Sequence, residues 1–409
     1  MYVGIVVLAV ETQPTSSGGT VTIYEELFRL RPIINAAGTM TMLGGSLMAR
    51  ETISAMDRAA EEWVDIPDLL RLASEGIASL LGLGPRIGGI HITSGASAGN
   101  TLAAAAVMTG HHRSRMEKLP NSSDFPNEIL MQPTHAGSWA ASFSAAGARV
   151  VVSPVATVFD SGSQRNLLGV TEQSFEAGIS DNTCAVAAVL SWEVAQTGGL
   201  SIPQMVAIAR RHSLPVIVDA AAQIPPISTI KDLLEMGVDL VSVSGGKAIC
   251  GPNDTGLLAG NQIYLTPAIL QSSPNTGVVG RGSKVSKEQI IGLYIALKAY
   301  VEHDADELLA ENQRRCDFLV ERVSDIEGII PEKMFPDETN LPVPRVRIHV
   351  LESLGKSVKE ITDLLREETP SIRLRGGYKG ATFLNIDVST LREGEIEHLA
   401  ERIAAAVRE

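Results

Sequence analysis

Apolar runs alternate along most of the chain with stretches whose apolar residues recur at helical spacing. Two such stretches, roughly Arg50 to Glu62 and Pro67 to Leu81, predict amphipathic helices. Beyond them the pattern becomes strand, turn and helix, repeated. Strands are expected at Ile87 to Thr93, Glu128 to Gln132, Arg149 to Val152, Cys184 to Trp192, Leu214 to Asp219, Val238 to Val243 and Thr255 to Ala259. An Ala-rich helix opens at Ser94 and ends near Gly110, and further helices are predicted at Ile202 to His212 and Lys231 to Met236. Strands that are apolar throughout are buried on both faces. Alternating with helices, they predict an α/β fold with a mainly parallel sheet covered on both sides.

The flanks read differently. Tyr2 to Val10 is apolar but shorter than the roughly 20 residues that span a bilayer. It also lacks the basic flank and cleavage site of a signal peptide, so residues 1–22 are expected to be a flexible leader. Tyr24 to Leu30 predicts a short helix before Pro32 to Gly45, a segment too apolar for a solvent loop and expected to cross a protein surface or a cleft. A Gly/Ser-rich loop, Gln271 to Lys287, carries Arg281, Lys284 and Lys287 and leads to a long helical stretch ending near Ile326. The remainder reads β-α-β-β-α over Arg345–Leu351, Val358–Glu367, Ile372–Arg375, Thr382–Asp387 and Glu393–Val407. The expected organisation is therefore a leader (1–22), an N-terminal segment with helices (23–85), a large domain (86–285), bridging helices (286–326) and a small C-terminal α/β domain (327–409).

Charge and cysteine usage narrow the class. The net charge of −13 argues against broad contact with a nucleic-acid backbone, which needs clustered Lys and Arg. Three widely spaced cysteines, Cys184, Cys250 and Cys316, contain no CxxC pair and point to a reduced, cytoplasmic compartment. No HxxH or HExxH pattern occurs, so no metal site is expected. No membrane partner is expected either.

Candidate chemistry gathers at predicted strand ends, where open parallel sheets bind ligands. The strand Val238 to Val243 stops at Ser244-Gly-Gly and is followed by a lone lysine, Lys247. An amine held in a dry site loses its proton more easily and attacks an aldehyde, which is how an enzyme holds pyridoxal 5'-phosphate (PLP). The plain alternative is a solubilising loop lysine. Asp219 ends the strand Leu214 to Asp219, where its carboxylate could pair with a protonated pyridine nitrogen and keep the ring an electron sink. Otherwise it caps a turn. Ser94-Gly95-Ala96-Ser97 lies where a strand turns into a helix, a place that favours a phosphate. Without a ligand it is a helix start. Ser244 could add a hydroxyl to the same phosphate. His135 follows another strand end and could stack on the cofactor ring or move a proton. Rival motifs fail: Gly82 to Gly88 is one residue too long for a dinucleotide fingerprint and precedes its strand, Gly245-Gly-Lys247 lacks the rest of a Walker A loop, and no GxSxG occurs.

With these residues in place, the chain resembles the selenocysteine synthase-like group of fold-type-I PLP enzymes, and within it the D-glucosaminate-6-phosphate ammonia-lyase type. The stretches that carry the resemblance are Ile34-Asn-Ala-Ala-Gly38, Ser94-Gly-Ala-Ser-Ala-Gly99, Leu214 to Ala222, Val243-Ser-Gly-Gly-Lys-Ala-Ile-Cys-Gly-Pro252 and Gly280-Arg-Gly-Ser-Lys-Val-Ser-Lys-Glu288. Ser283 and Ser286 depart from the ammonia-lyase pattern, which has Met and Gly there. The resemblance implies the aspartate aminotransferase-like fold, PLP held by Lys247 with its pyridine nitrogen on Asp219, and an active site shared between subunits of a homodimer or larger assembly. The expected function is α,β-elimination on a small amino acid or amino sugar acid. Racemisation, transamination and selenium transfer are alternatives, and a catalytically silent PLP-fold binding protein is the non-enzymatic one. Asn35, Arg281 and Arg375 are candidates for substrate binding, the arginines because a planar guanidinium grips carboxylate or phosphate.

Overall fold

The computed structural model describes residues 21–137, 139–160, 165–190, 199–337, 340–376 and 380–409. The first twenty leader residues, and Trp192 with the end of its expected strand, lie outside them. The chain divides into two units. The larger takes Thr39–Leu309 and Phe335–Val343; the smaller takes the described residues up to Gly38 with Ala310–Met334 and Pro344–Glu409.

The strands run in chain order as β1 (Ile34–Ala36), β2 (Gly89–Thr93), β3 (Glu128–Met131), β4 (Arg149–Val152), β5 (Ala156–Asp160), β6 (Arg165–Gly169), β7 (Thr183–Val189), β8 (Val216–Asp219), β9 (Leu240–Ser244), β10 (Gly256–Gly260), β11 (Ile329–Met334), β12 (Arg345–Val350), β13 (Ile372–Leu374) and β14 (Phe383–Ile386). Seven of them form the sheet of the large unit, in the order β2-β10-β9-β8-β7-β3-β4. Only β10 runs against its neighbours; the pairs from β9 to β4 are parallel. A short turn after β9 explains the reversal, because a parallel return would need a long crossover.

The continuous apolar runs have a direct cause. Ile129 and Met131 of β3 pack into one layer and Leu130 into the other, and Val186, Ala188, Val216 and Val218 oppose Ala185, Ala187 and Ile217 in the same way. Each strand therefore needs apolar residues at every position, and each fully buried Val or Ile contributes roughly 1.5–3 kcal/mol. β5 and β6 form a separate hairpin.

In the small unit β11, β12 and β14 form an antiparallel sheet over a core that includes Leu319, Val346, Ile348, Leu365, Leu384, Ile386 and Ile403. β1 pairs in parallel with β13, Ile34 opposite Ile372. The segment expected to cross a surface thus supplies a strand, too short for its period to show. The long stretch predicted after Lys287 is two helices, Lys287–Glu302 and Ala305–Val323. Extended backbone at His303 breaks it, and Asp304 Oδ1 accepts the N–H of Asp306 at 2.9 Å to start the second helix.

Candidate active site

At the carboxyl end of β2 the chain turns sharply into the helix Ala96–Thr109. Gly95 makes the turn with φ of 101°, a region side chains rarely adopt. Thr93 Oγ1 donates to Gly95 O at 2.9 Å and fixes it. No side chain caps the helix, so its first N–H groups remain for another acceptor. Ser94 is half-buried, Ala96 buried and Ser97 exposed. The loop is pressed onto the sheet: Ser242 Oγ donates to Ala96 O at 2.7 Å. A Cβ on Gly256 would stand 2.6 Å from the Gly95 carbonyl carbon and 2.8 Å from Ala96 N. Glycine in β10 is therefore what lets the turn sit where it does.

Asp219 ends β8 and is 4% exposed. Its Oδ1 accepts the N–H of Ala221 at 3.0 Å, and its Oδ2 accepts Asn100 Nδ2 at 2.7 Å. Burial pushes its pKa above the usual carboxylate range, while the Ala221 N–H, the Asn100 amide and the charge of Lys247 pull it back. Asn100 escaped sequence reasoning. A polar side chain among the buried Ala103 to Ala106 was the available signal, since a buried amide demands a partner.

His135 sits in the turn after β3. Its Nδ1 accepts the N–H of Val189 at 3.2 Å, which leaves the proton of the neutral ring on Nε2. Burial lowers its pKa to about 4, so the ring is neutral at pH 7. Gln132 braces the neighbouring backbone, with Oε1 accepting Leu200 N at 2.6 Å and Nε2 donating to Leu200 O at 2.9 Å.

Lys247 follows β9 in a turn built on close backbone approach. Gly245 N donates to Thr255 O at 2.8 Å, Gly251 N to Gly245 O at 2.9 Å, Cys250 N to Lys247 O at 2.9 Å, and Ser46 N to Gly246 O at 3.0 Å. A Cβ on Gly245 would strike Thr255 Oγ1 and Leu293, and one on Gly246 would overlap the backbone of Asn253. The lysine is half-buried, and Ser244 before it is half-buried opposite Gly256. Ser94 to Ser97, Asp219, Ser244 and Lys247 thus all stand at the carboxyl ends of β2, β8 and β9 of one sheet, with β10 between β2 and β9.

The remaining candidates lie on other segments of the chain. Arg281 is exposed on its loop in the large unit. Asn35 and Arg375 belong to the small unit. Asn35 Nδ2 donates to Gly38 O at 3.1 Å and its Oδ1 accepts Ala37 N at 3.0 Å, closing its own turn. Arg375 follows β13 and bridges Asn385, donating its N–H to the Asn385 carbonyl at 3.2 Å.

This donor set fits PLP: a buried carboxylate held by two donors for a ring nitrogen, a lysine for an aldehyde, and an uncapped helix start for a phosphate. Among the described residues, no three His, Cys, Asp or Glu are grouped to hold a metal ion.

Comparison with known proteins agrees. The aminotransferase class-V model matches residues 134–384. D-glucosaminate-6-phosphate ammonia lyase of Salmonella typhimurium (strain 14028s / SGSC 2262) is 31% identical over 389 residues, 94% of this chain and 97% of its own. A 5'-C-glycyluridine monooxygenase-decarboxylase of Streptomyces sp is 28% identical over 379 residues, 91% of this chain and 89% of its own. A solved structure of D-glucosaminate-6-phosphate ammonia-lyase superposes with a TM-score of 0.78 at 29% identity, covering 95% of this chain and 99% of that one. With a family model spanning more than half its length and a relative of this identity along nearly all of it, the chain belongs to the class-V aminotransferase family of pyridoxal-phosphate enzymes.

Proposed function

We propose that the chain catalyses α,β-elimination on a small amino acid or amino sugar acid, releasing ammonia and a 2-oxo acid. The observation that carries the reading is the buried Asp219 carboxylate held by two donors at a strand end, in a chain aligned over 94% of its length with an ammonia lyase.

PLP, when bound, supplies an electron sink for the negative charge that develops at the substrate α-carbon. In this reading the helix start at Ser94 to Ser97 binds the phosphate, and Asp219 keeps the ring nitrogen protonated. Lys247 carries the cofactor between turnovers. Its amine, when not carrying the cofactor, would be the base that takes the substrate α-proton. Loss of a β-hydroxyl with that proton, followed by hydrolysis of the C–N bond, gives the 2-oxo acid and ammonia. Neutral His135 offers its ring face and the Nε2 proton. Arg281, Arg375 and Asn35 are proposed to receive the substrate's acid group.

We also propose a homodimer or larger homo-oligomer with a shared site. Trp63 is 98% exposed and Met42 81% exposed on the large unit, surface that a second copy would remove from water. Free cysteines at positions 184, 250 and 316 support a reducing, cytoplasmic setting. Among the described residues, no helix is long and apolar enough to cross a membrane.

The test is spectroscopic, then chemical. Purified protein with added PLP should show a visible Schiff-base band that Lys247→Ala abolishes, with at least about a thousand-fold loss of turnover. A band indifferent to Lys247→Ala would sink the assignment. A panel of D- and L-amino acids and amino sugar acids then separates reactions. Ammonia release supports elimination. Loss of optical rotation, dependence on a 2-oxo acid, or oxygen uptake with CO2 release would replace it with racemisation, transamination or the oxidative decarboxylation named for the Streptomyces relative.

A further inference from the structure

Asn100 is 1% exposed in a helix whose other buried positions are mostly apolar, Ala103 to Ala106 among them. Its Nδ2 reaches Asp219 Oδ2 at 2.7 Å across 119 residues of sequence and also approaches Ser142 Oγ at 3.3 Å. The Ser142 hydroxyl proton is committed elsewhere, to Trp139 O at 2.7 Å, so Ser142 Oγ acts toward Asn100 as an acceptor. Thr101 Oγ1 donates to Ser142 O at 2.7 Å and holds Ser142 against the same helix. Two acceptors on one side therefore set which way the amide faces. Among the described residues no donor reaches its buried Oδ1. A buried amide with an idle carbonyl destabilises a fold relative to an apolar side chain of the same shape. The idle carbonyl gains Asn100 nothing, whereas its donor satisfies the buried Asp219 carboxylate, and that bond accounts for its presence.

We propose that Asn100 is a positioning residue that fixes the orientation of the Asp219 carboxylate toward the cofactor, with Ser142 fixing Asn100 in turn. Ala221 N–H holds Oδ1 and Asn100 holds Oδ2, so both carboxylate oxygens have a fixed donor and the group cannot rotate without losing one. Both donors also favour the anion, the form that a protonated ring nitrogen requires. The inference rests on the PLP reading above, and Asn100 itself touches neither substrate nor reacting atoms.

Two variants of the full-length protein test it. Asn100→Leu keeps the volume and removes the donor. Without PLP it should melt somewhat below the parent, because the buried Asp219 Oδ2 loses its donor, and its PLP dissociation constant should rise about 10- to 100-fold, the loss of one hydrogen bond to a charged group. Asn100→Asp places a second carboxyl against Asp219. The pair holds one proton at lower pH, and the acid then donates as the amide does; at higher pH both are charged and repel. PLP affinity of Asn100→Asp should match the parent near pH 6 and fall away from it toward pH 9, a course that a purely structural residue would not produce. If Asn100→Leu does not fold, the pH course of Asn100→Asp decides alone. Unchanged PLP affinity in Asn100→Leu, or a parental pH course in Asn100→Asp, overturns the proposal. A parent protein with no Lys247-dependent band fails the PLP reading first and takes this inference with it, whereas a parent band with unaffected variants removes this inference only.

Discussion

Two glycine-rich loops of the large unit each carry a cation, and they are built on opposite principles. In the Lys247 turn both glycines are demanded by contact: a Cβ on Gly245 would meet Leu293 Cδ1 at 2.6 Å, and one on Gly246 would stand 2.9 Å from Asn253 O. In the Arg281 loop, a Cβ on Gly277 or Gly282 would meet nothing within 4 Å, and Arg281 is exposed. The first loop is clamped between strand ends, and its backbone on both sides of the lysine is held by hydrogen bonds. The second holds its arginine on open backbone, anchored at Gly280, where a Cβ would press 2.6 Å from Leu102. Covalent chemistry requires the first kind of support, because reacting atoms must be held closely. Recognition of an anion by a long side chain tolerates the second.

The sharpest way to break this contrast is Gly246→Ala. Its nearest new contacts are backbone atoms of Asn253, which cannot swing aside as a side-chain tip would. The cost should reach about 3 kcal/mol, the upper part of the usual range for overpacking. Because the strain falls on the residue before Lys247, PLP affinity should drop with stability. A parallel loss in melting temperature and in the visible band would sustain the comparison. An alanine tolerated in both would show that the turn is looser than its packing.

Much of this was legible before any coordinates. Strands buried on both faces write themselves as unbroken apolar runs, so the sheet and the strand-end positions of Lys247 and Asp219 followed from pattern and spacing. What pattern could not carry was direction and distance. Gly256–Gly260 is apolar whichever way it runs, and only the short return from β9 makes it antiparallel. β1 is three residues long and has no readable period, and β13, expected from the pattern at Ile372–Arg375, is a partner that lies at the opposite end of the chain. The Asn100–Asp219 bond joins two elements whose proximity exists only in the folded sheet. Asp304 is a different case, since an aspartate inside a helical stretch is a start signal that local chemistry could have flagged.

Acid tests the buried surroundings of the first loop next. His135, on the side of Asp219 and Lys247, is held neutral with a pKa of about 4, whereas an unfolded histidine titrates near 6.5. The unfolded chain therefore binds a proton that the native chain refuses between these values, and stability falls as pH drops from about 6.5 to about 4. The span corresponds to roughly 2–3 kcal/mol for His135, with buried His91, also lowered to about 4, adding to the slope. Replacing His135 by glutamine should flatten the His135 share of that slope in urea melts at pH 7 and pH 4.5. An unchanged slope would mean that His135 is more open to solvent than its packing indicates.

The smallest effect is expected where the second loop is most open. Gly282 does not adopt the positive φ that marks Gly277 at 69°, and nothing stands within 4 Å of where its Cβ would go. Gly282→Ala therefore adds a methyl group to solvent and only narrows the choices of the unfolded chain, worth about 0.4–1 kcal/mol in favour of the fold. Melting temperature should hold or rise slightly, and the Lys247-dependent band should keep its intensity and its position. The informative quantity is KM for an anionic substrate. If Arg281 grips the acid group from a loop that needs freedom to close, stiffening the residue beside it should raise KM while kcat stays level. If KM is untouched as well, glycine at this position serves neither contact nor motion, and the grip on the substrate anion has to be sought outside this loop.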